Sequence, residues 1–371
     1  MTLKKKSIKS SDSERTVQAL LVTGGTGFLG PEVLKRLGTF YKKIFLLVRP
    51  QSLEKVKIVF EGFDKSRLHV VIGDLRNQNI IESESDLALI RSEVTSVLHM
   101  GAIYDFTVAP SENYLSNVVG TQNLLHFCRN LVNLKRFYLT STLAIAGDYS
   151  GILYESMFNV GQTFSDSYAE TKFRVEGLIG SWNTDVKRVI LRLGVIVGDS
   201  QKGRTHKIDG PYYLLRSLRK HRAIWKTLSI AGVTPFPYSP HSILYLVPVD
   251  AVADGIVKII ENPHDFEEKW RTYHLTGPGV SLKDFFHRSF SELGYVTKLR
   301  SVPQWVVPKS LYPTLGIPAA LQQYMYSSCV YVNQILSRDY PAIRMPHFES
   351  YANEFFEFVK SDDFKKLKVS A

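Results

Sequence analysis

A glycine-rich loop near the start of the chain limits the possible folds more than any other feature of this sequence. The apolar run 17–23 is typical of a buried parallel strand, and it leads directly into the loop 24–30, which opens a helical stretch. Gly24 permits a tight turn, Gly27 lets the backbone approach a pyrophosphate, and Gly30 allows the helix to pack closely on the strand. This strand–loop–helix unit therefore predicts a dinucleotide site at the amino terminus of a helix.

Strands and helices alternate through the first half of the chain. Predicted strands lie at 17–23, 44–48, 68–72, 94–99, 136–141 and 188–197, and predicted helices at 31–37, 113–129 and 168–179. This alternation predicts an α/β fold with a Rossmann-type doubly wound parallel sheet. A strand at 272–275 is expected to rejoin the sheet at one edge. The remaining sequence predicts a smaller, mostly helical C-terminal substrate-capping region.

These patterns divide the chain into five predicted segments. Residues 1–16 form a disordered basic tail, 17–200 a dinucleotide-binding Rossmann domain, 201–247 a substrate-lid insertion, 248–279 a return to the Rossmann domain, and 280–371 a C-terminal substrate-binding region. The tail is polar and rich in lysine, which is unlike a signal peptide.

Composition excludes several classes of protein. No apolar run approaches the roughly 20 residues that span a bilayer, so we expect no transmembrane segment, although peripheral membrane contact stays open. The two cysteines, Cys128 and Cys329, fit neither a disulfide framework nor a metal site, and we expect a cytoplasmic location. The ten histidines show no metal-ligand spacing, so no metal is expected.

The formal net charge of +11 raises the question of an anionic partner. Lysines and arginines are mostly scattered, and no zinc-finger spacing or aromatic RNA-binding motif occurs, which argues against nucleic acid. The densest basic stretch contains Arg216, Arg219, Lys220, His221 and Arg222. It is either a solvated helix face or a docking patch for an anion such as a phosphorylated substrate or an acidic acyl carrier protein.

The end of the second predicted strand indicates which dinucleotide binds. NAD enzymes usually carry Asp or Glu there to bind the ribose 2′-hydroxyl, whereas this chain has Arg49. A guanidinium can pair with a 2′-phosphate through two hydrogen bonds, so the predicted cofactor is NADPH. Asp74, after the third strand, either accepts a hydrogen bond from the adenine amine or caps a turn.

Candidate catalytic residues follow the fifth strand and occupy the next helix. Tyr168 and Lys172 are four residues apart and share one helix face. A nearby ammonium should lower the pKa of the tyrosine, which could then exchange a proton with a carbonyl or alcohol oxygen. Ser141 and Thr142 end the preceding strand, where α/β sheets bind their ligands, and either hydroxyl could bind the substrate oxygen.

Taken together, these motifs resemble those of extended short-chain dehydrogenase/reductases, and more narrowly the thioester-reductase and fatty acyl-CoA reductase branch. The matching pieces are Thr23 to Gly30, Leu47-Val48-Arg49-Pro50, Gly73-Asp74-Leu75, His99-Met100-Gly101-Ala102, Asn117-Val118-Val119-Gly120-Thr121, Ser141-Thr142, Tyr168 with Lys172, Arg192 to Asp199, and Pro248-Val249-Asp250. The resemblance covers about residues 17–255 and is loose beyond them.

The resemblance implies roles for individual residues. Thr142, Tyr168 and Lys172 would form the catalytic trio, and Asn117 would help to orient Lys172. Thr142 is preferred to Ser141 because it lies five residues before Gly147, which is the usual offset in these folds. The expected cofactor-binding residues are Gly24, Thr26, Gly27, Phe28, Leu29, Gly30, Arg49, Asp74, Leu75, Gly101, Ala102, Tyr168 and Lys172. His99 is expected to pack or line the cofactor. Met100 and Gly194 depart from the usual pattern around the nicotinamide.

The leading functional hypothesis is an NADPH-dependent oxidoreductase that reduces an acyl thioester, on CoA or an acyl carrier protein, to aldehyde or alcohol. An apolar set in 303–360 could form the acyl trough: Trp305, Val306, Val307, Leu311, Tyr312, Leu315, Leu321, Tyr324, Met325, Tyr351, Phe355 and Phe356. The alternatives are a nucleotide-sugar epimerase or dehydratase, another ketone or alcohol dehydrogenase of this fold, and a non-catalytic NADP-binding regulator. The retained Tyr168/Lys172 pair argues against the regulator.

Overall fold

A computed structural model describes residues 19–37, 40–59, 65–104 and 108–367. The predicted tail, 1–16, lies outside these ranges. Strands are numbered as follows: β1 Ala19–Thr23, β2 Lys43–Val48, β3 Leu68–Ile72, β4 Val94–His99, β5 Arg136–Thr142, β6 Gly151–Leu153, β7 Lys187–Leu193, β8 Val195–Val197, β9 Val233–Pro237, β10 Ile243–Leu244, β11 Leu246–Pro248, β12 Trp270–Leu275, β13 Val280–Ser281, β14 Lys298–Val302 and β15 Cys329–Tyr331.

The helices are mostly short. They are α1 Gly30–Leu37, α2 Leu53–Val59, α3 Glu84–Glu93, α4 Pro110–Asn113, α5 Gly120–Cys128, α6 Ser167–Ser181, α7 Tyr212–Lys220, α8 Arg222–Ser229, α9 Val249–Glu261, α10 Leu282–Glu292, α11 Leu311–Thr314, α12 Gln334–Asp339, α13 Ala352–Lys360 and α14 Asp362–Lys366. A π-helical segment, Tyr114–Val119, joins α4 to α5. None of the helices within the described residues is both long and apolar enough to cross a membrane.

Seven parallel strands form the central sheet, in the order β12-β7-β5-β4-β1-β2-β3. The order reverses at β1, which lies between β2 and β4, so the carboxyl ends of β1 and β4 flank the crevice where α/β sheets bind ligands. Strands β1, β2 and β7 are almost wholly buried, as the continuous apolar runs predict for a sheet covered on both faces. The predicted Rossmann-type fold is confirmed.

Helices cover both faces of the sheet. One core joins the sheet to α1 and α9 through residues such as Val33, Leu34, Val252 and Ile256. The other packs α5 and α6 against the opposite face through residues such as Leu124, Val175 and Ile179. Burying large aliphatic side chains contributes roughly 1.5–3 kcal/mol each, so these two cores hold the strand ends rigidly in place.

A separate aromatic core forms the region that covers the site. It joins α7, α8, α10 and α13, and it includes Tyr212, Trp225, Phe236, Phe285 and Phe355. The Phe236 and Phe286 rings meet edge to face, with centroids 4.9 Å apart. Strands β9 and β14 pair in parallel on this cap, a small sheet that the prediction of a mostly helical region missed.

The predicted strand 188–197 is in fact two strands, interrupted at Gly194. The backbone N–H of Gly194 donates to the carbonyl of Leu275, while that of Val195 donates to the carbonyl of Tyr245. A Cβ at position 194 would lie 2.6 Å from Thr276 Oγ1 and 2.7 Å from the carbonyl oxygen of Tyr245. The chain therefore leaves the main sheet here, and β8 pairs with β11 instead. Glycine, which has no Cβ, allows this close approach.

The last part of the chain returns to the Rossmann sheet. Strand β15 pairs with β6, and the buried carboxylate of Glu155 accepts hydrogen bonds from three backbone N–H groups, those of His274, Ile335 and Leu336. Those to His274 and Leu336 measure 3.0 and 3.1 Å. Burial raises the pKa of Glu155, and the three donors oppose that rise. One side chain thus ties β12 to the start of α12.

Candidate active site

The glycine loop has the geometry that its sequence predicts. Gly24 has φ of +73°, and its carbonyl accepts a hydrogen bond across the turn from the backbone N–H of Gly27, at 3.0 Å. A Cβ at Gly24 would lie 2.5 Å from the backbone nitrogen of Gly101, so β1 and the chain after β4 touch here. A Cβ at Gly30 would lie 2.3 Å from the Gly25 carbonyl oxygen. The loop thus presents bare backbone at the amino end of α1, a cradle suited to a pyrophosphate.

Two arginines border the end of the cavity beside β2 and β3. Arg49 is exposed at the end of β2, as expected. Arg76 lies next to it, and its guanidinium donates to both oxygens of Asp74, with Nη2 2.7 Å from Oδ2. Burial opposes ionisation of Asp74, but hydrogen bonds from Arg76 and the charges of Arg76 and Arg49 hold its pKa below the usual value.

Asp74 also accepts a hydrogen bond from the backbone N–H of Arg76 at 2.9 Å, so its carboxylate caps a turn. This favours the second of the two roles considered for Asp74. Sequence reasoning missed Arg76, although its position two residues after Asp74 at a strand end could have suggested it. This end of the cavity therefore has two guanidinium groups, of which that of Arg76 is already paired with Asp74 and Glu112.

Tyr168 and Lys172 project from α6 into the cavity. Lys172 is buried, and its ammonium donates to the carbonyl oxygen of Thr140 at 2.6 Å. Burial lowers the pKa of Lys172 to about 8, and the charge of Glu176 opposes this change. Asp166 caps the start of α6, and its carboxylate accepts a hydrogen bond from the backbone N–H of Ala169.

The expected depression of the Tyr168 pKa is wrong for the ligand-free protein. Burial raises the pKa of Tyr168, and the nearby carboxylates of Asp209 and Asp166 raise it further. Lys172 directs its ammonium to the β5 backbone instead. Tyr168 therefore carries its proton at neutral pH, which is the form a general acid needs.

Ser141 and Thr142 occupy different surroundings at the end of β5. The Ser141 hydroxyl donates to Glu176 Oε1 at 2.5 Å in the protein interior. Thr142 Oγ1 accepts only from the backbone N–H of Ala144, at 3.2 Å, and Thr142 is partly exposed. Since the Ser141 proton is already engaged, Thr142 is the better placed of the two to donate to a ligand in the cavity.

A buried ion pair lies behind these catalytic candidates. Arg192 on β7 contacts both carboxylate oxygens of Glu176, at 2.8–3.1 Å, and each side chain is 1% exposed. Arg192 also lies 3.3 Å from Nε2 of His274 on β12, and burial lowers the pKa of His274 to about 3. The network joins α6, β5, β7 and β12. Glu176, one turn after Lys172, was not singled out from the sequence.

Asn117 fixes the backbone beside the site. Its amide accepts from the N–H of Ile103 at 2.8 Å and donates to the Ile103 carbonyl and to Thr171 Oγ1, at 3.1 and 3.0 Å. These contacts lead to the neighbour of Lys172 and not to its ammonium, and Asn117 does not line the cavity. Its proposed role in orienting Lys172 remains a prediction, which this arrangement supports only through Thr171.

The segment predicted as a substrate lid, 201–247, contains a charged pair that sequence reasoning missed. Lys207 and Asp209 form an ion pair at 2.7 Å, and Asp209 also hydrogen-bonds to Tyr104. The Tyr104 ring meets the Tyr168 ring edge to face, with centroids 4.4 Å apart. Lys207 lies 4.8 Å from the centre of the Tyr104 ring. The Tyr104 ring therefore packs against the phenol of Tyr168, and the Asp209 carboxylate lies close enough to raise the pKa of that phenol.

All predicted cofactor-binding residues, and Thr142, line one cavity of about 520 Å³. Beyond Tyr168 its walls become apolar, with Leu214, Ile243, Leu282, Phe285, Phe286, Ile317, Leu321 and Met325. Of the predicted acyl-trough residues, Leu321, Tyr324 and Met325 line the cavity. Trp305 is 84% exposed, and Tyr351, Phe355 and Phe356 belong to the aromatic core. The lining thus suits a polar cofactor at one end of the cavity and an apolar chain at the other.

Two other predicted features have structural roles. His99 is buried between Thr23 Oγ1 and Thr121 Oγ1, at 2.6 and 3.0 Å, and burial lowers its pKa to about 3, so it is a packed residue. Arg216 and Arg219 in the basic stretch donate to backbone carbonyls near the end of the described chain, including those of Leu367 and Ser361. Lys220 and Arg222 stay exposed. Part of that stretch therefore holds the fold together.

Comparison with known proteins gives the family. The family model described as "Male sterility protein", an NAD-binding family, matches residues 22–256. A linear gramicidin synthase component from Brevibacillus parabrevis is 23% identical over 308 residues, which cover 78% of this chain and 6% of that protein. The NRPS-like oxidoreductase fscA of Fusarium equiseti is 28% identical over 214 residues, 54% of this chain and 20% of that protein. This chain thus spans a small part of these relatives' length.

Another relative and two solved structures extend the picture. Probable fatty acyl-CoA reductase 4 of Arabidopsis thaliana is 22% identical, over 65% of this chain and 62% of that protein. The terminal R domain from the myxalamid PKS-NRPS biosynthetic pathway has a TM-score of 0.73 at 23% identity, over 95% of this chain and 92% of that one. The dTDP-glucose 4,6-dehydratase DesIV of Streptomyces venezuelae has a TM-score of 0.64 at 18% identity, over 93% and 98%. The structures share the fold.

The matched region contains the glycine loop, the Thr142 strand end and the Tyr168/Lys172 helix. Its fold is the one seen in the R domain and in the dehydratase. The chain belongs to the male sterility protein family of NAD-binding enzymes and is an extended short-chain dehydrogenase/reductase, similar to the thioester-reductase and fatty acyl-CoA reductase branch.

Proposed function

We propose that this protein is an NADPH-dependent reductase of a hydrophobic acyl thioester, carried on CoA or on an acyl carrier protein. The observation that carries the proposal is one continuous cavity. It runs from the glycine loop and Arg49, past Tyr168 and Thr142, to the apolar walls around Phe286. A nucleotide-sugar enzyme would need polar groups at that far end to hold a sugar and a second nucleotide, whereas the walls there are mostly apolar.

The preference for NADPH rests on charge. The end of β2 carries Arg49 and no carboxylate, and Asp74 is neutralised by Arg76. A ribose 2′-phosphate would meet the guanidinium of Arg49, whereas Arg76 is already paired with Asp74 and Glu112, and a 2′-hydroxyl would lack its usual carboxylate acceptor. A charge-assisted hydrogen bond contributes roughly 1.5–3 kcal/mol, which corresponds to about ten- to hundredfold in affinity.

The side chains of this site suit reduction of a carbonyl. Bound NADPH supplies the hydride. Thr142 and the protonated Tyr168 donate hydrogen bonds to the carbonyl oxygen as it gains negative charge, and Tyr168 gives it the proton. Lys172, next along the same helix face, compensates the negative charge left on the phenol. The carbon gains a hydride and the oxygen a proton, and the hemithioacetal then separates into an aldehyde and a free thiol.

The test is an assay of thioesters against carbonyl compounds. Purified protein and NADPH are incubated with acyl-CoAs of increasing chain length, and NADPH oxidation, aldehyde, alcohol and free thiol are measured. We expect efficiency to rise with chain length, because longer chains bury more apolar surface in the cavity. The Tyr168→Phe variant should bind NADPH normally and lose about two to four decades of turnover.

Two results would contradict the proposal. Reduction of small ketones or aldehydes, with no thiol released from any thioester, would leave only a general carbonyl reductase. Turnover of a nucleotide sugar without net oxidation of added NADPH would instead identify an epimerase or dehydratase.

A further inference from the structure

Two stretches of the cap contain no acidic residue. Neither an aspartate nor a glutamate occurs in 210–249 or in 293–338, although the chain as a whole has 35. The first stretch contains five lysines and arginines and the second contains four. Where these two stretches are exposed they add only positive charge to the surface, and the acidic residues of the cap lie in its other segments, such as Asp284 and Glu292 on α10.

The two stretches meet in the folded cap. Strand β9 of the first pairs with β14 of the second, and the N–H of Lys298 donates to the carbonyl of Gly232 at 2.8 Å. The Thr234 hydroxyl lies 2.8 Å from Thr297 Oγ1 and donates to the carbonyl of Leu228 at the end of α8. Helix α8 and the amino ends of β9 and β14 therefore form one corner of the molecule.

Aliphatic side chains project from this corner into solvent. Ile230 is 82% exposed and Val296 is 92% exposed, in turns that precede β9 and β14. On α8, Trp225 is buried while Ile224 and Leu228, one turn apart, are 47% and 46% exposed; Val233 is 44% exposed. We call these five aliphatic residues, with Lys220, Arg222, Lys226 and Lys298, the cap tip.

The charged members of the cap tip are exposed and lie among the apolar ones. Lys220, Arg222, Lys226 and Lys298 form no ion pair with any residue that the structure describes. Lys226 lies on α8 between Ile224 and Leu228, and Lys298 lies opposite Val233 in the parallel pair. These exposed cations have no acidic partner among the described residues and alternate with protruding aliphatic side chains. Such a pattern suits a surface that carries negative charge and has an apolar layer beneath that charge.

We propose that the cap tip binds the surface of a lipid bilayer containing anionic lipids. Aliphatic side chains at turns can enter the region between headgroups and acyl chains, while lysine and arginine remain at the phosphate level. Anionic lipids attract each such cation within about a Debye length of the surface. A folded acidic protein would satisfy the charges, but it would need a matching pocket for each separate aliphatic tip.

The cap tip is one aromatic layer away from the cavity. Trp225, on the buried side of α8, packs against Phe236 with ring centroids 6.0 Å apart, and Phe236 packs against Phe286, which lines the cavity. Membrane contact would thus place the apolar end of the cavity close to the layer in which acyl chains reside. The inference itself stands apart from the proposed thioester chemistry, because binding to a bilayer requires neither cofactor nor turnover.

The experiment is vesicle flotation of the full chain, without cofactor, using phosphatidylcholine alone or mixed with phosphatidylserine. Wild type should float with the mixed vesicles, more weakly with phosphatidylcholine, and less as salt is raised. The variant Ile230→Glu/Val296→Glu should lose about tenfold or more in partitioning. Lys226→Gln/Lys298→Gln should lose about fivefold for each charge removed. The matched control is Val132→Glu, because Val132 is 85% exposed but lies before β5, at the opposite end of the sheet.

Three outcomes would overturn the proposal. The first is that the wild type does not float with either vesicle at low salt. The second is that the cap-tip variants float as well as the wild type. The third is that the protein binds a purified acidic acyl carrier protein in a salt-sensitive manner but does not bind vesicles. Circular dichroism of each variant checks that folding is unchanged, as expected for substitutions at positions this exposed.

Discussion

Replacing Lys172 with methionine should make the protein more stable while removing its activity. Lys172 is buried, and its pKa falls from 10.5 to about 8. That difference corresponds to roughly 3 kcal/mol of free energy that opposes folding at neutral pH. Methionine fills a similar volume without a charge, but loses the hydrogen bond to the Thr140 carbonyl, worth about 1 kcal/mol. The expected net gain in unfolding free energy is about 2 kcal/mol.

The pH dependence of this gain gives the sharper test. Because the folded-state pKa of Lys172 is below the unfolded one, the unfolded chain binds more protons between about pH 8 and pH 10.5. The stability of wild type relative to the variant therefore rises with pH across this window. The free-energy cost of burying the charged Lys172 is present in full only below about pH 8. The advantage of Lys172→Met should be largest at neutral pH and shrink as pH approaches 10.5.

Urea unfolding of the cofactor-free protein at a series of pH values measures the effect, with Lys269→Met as the control at an exposed position. The control should differ little from wild type, and its difference should stay flat with pH. If Lys172→Met is less stable than wild type at neutral pH, or if its advantage does not change with pH, then desolvation of Lys172 is not the dominant effect at this site.

Three further changes test other parts of the site. Arg49→Ala should raise the Kd for NADPH about ten- to hundredfold and leave that for NADH nearly unchanged, as measured by calorimetry; equal effects on both would remove Arg49 from the 2′-phosphate. Thr142→Val should lower kcat by about two to three decades with little loss of stability. Ser141→Ala removes one hydrogen bond to Glu176 and should mainly lower the denaturation midpoint. The reverse pattern would exchange the roles of the two hydroxyls. Gly24→Ala should lower the unfolding free energy by more than about 1 kcal/mol, because φ is +73° and a Cβ would meet Gly101; an unchanged midpoint would mean that the turn can relax.

Sequence patterns over a few neighbouring residues were enough to predict some strands and turns of the fold. The strand at 94–99 follows from a short apolar run, and the Gly24 turn follows from a backbone that only glycine adopts readily. The predicted 113–129 helix is present but starts at Pro110 and includes the π-helical segment. The spacing of apolar residues does not reveal the π-helical segment. Its extra residue per turn accompanies the hydrogen bonds between Asn117 and Ile103, which lies 14 residues earlier in the chain.

What sequence reasoning missed depends on contacts between distant segments. Asp209, about 40 residues later in the chain, raises the pKa of Tyr168, and the Glu176–Arg192 pair needs α6 to pack against β7. The break at Gly194 is set by Tyr245 and Leu275, which come much later in the sequence. The direction of the Tyr168 pKa shift was predicted wrongly for the same reason. The spacing shows that Lys172 shares a helix face with Tyr168, but burial and the carboxylates of Asp209 and Asp166 decide the direction of the shift.

The tie made by Glu155 has a consequence for the evolution and engineering of this chain. The family match ends at residue 256, yet β12, which follows it in the chain, forms one edge of the central sheet, and a single carboxylate joins β12 to the start of α12. The matched region is therefore not an independent folding unit, and a chain shortened to it would expose β7 and leave the carboxylate of Glu155 without the three backbone N–H groups that it binds. Exchange of substrate-capping segments between relatives should succeed only when β12 and the start of α12 stay in place, or when the exchanged piece brings its own partner for position 155.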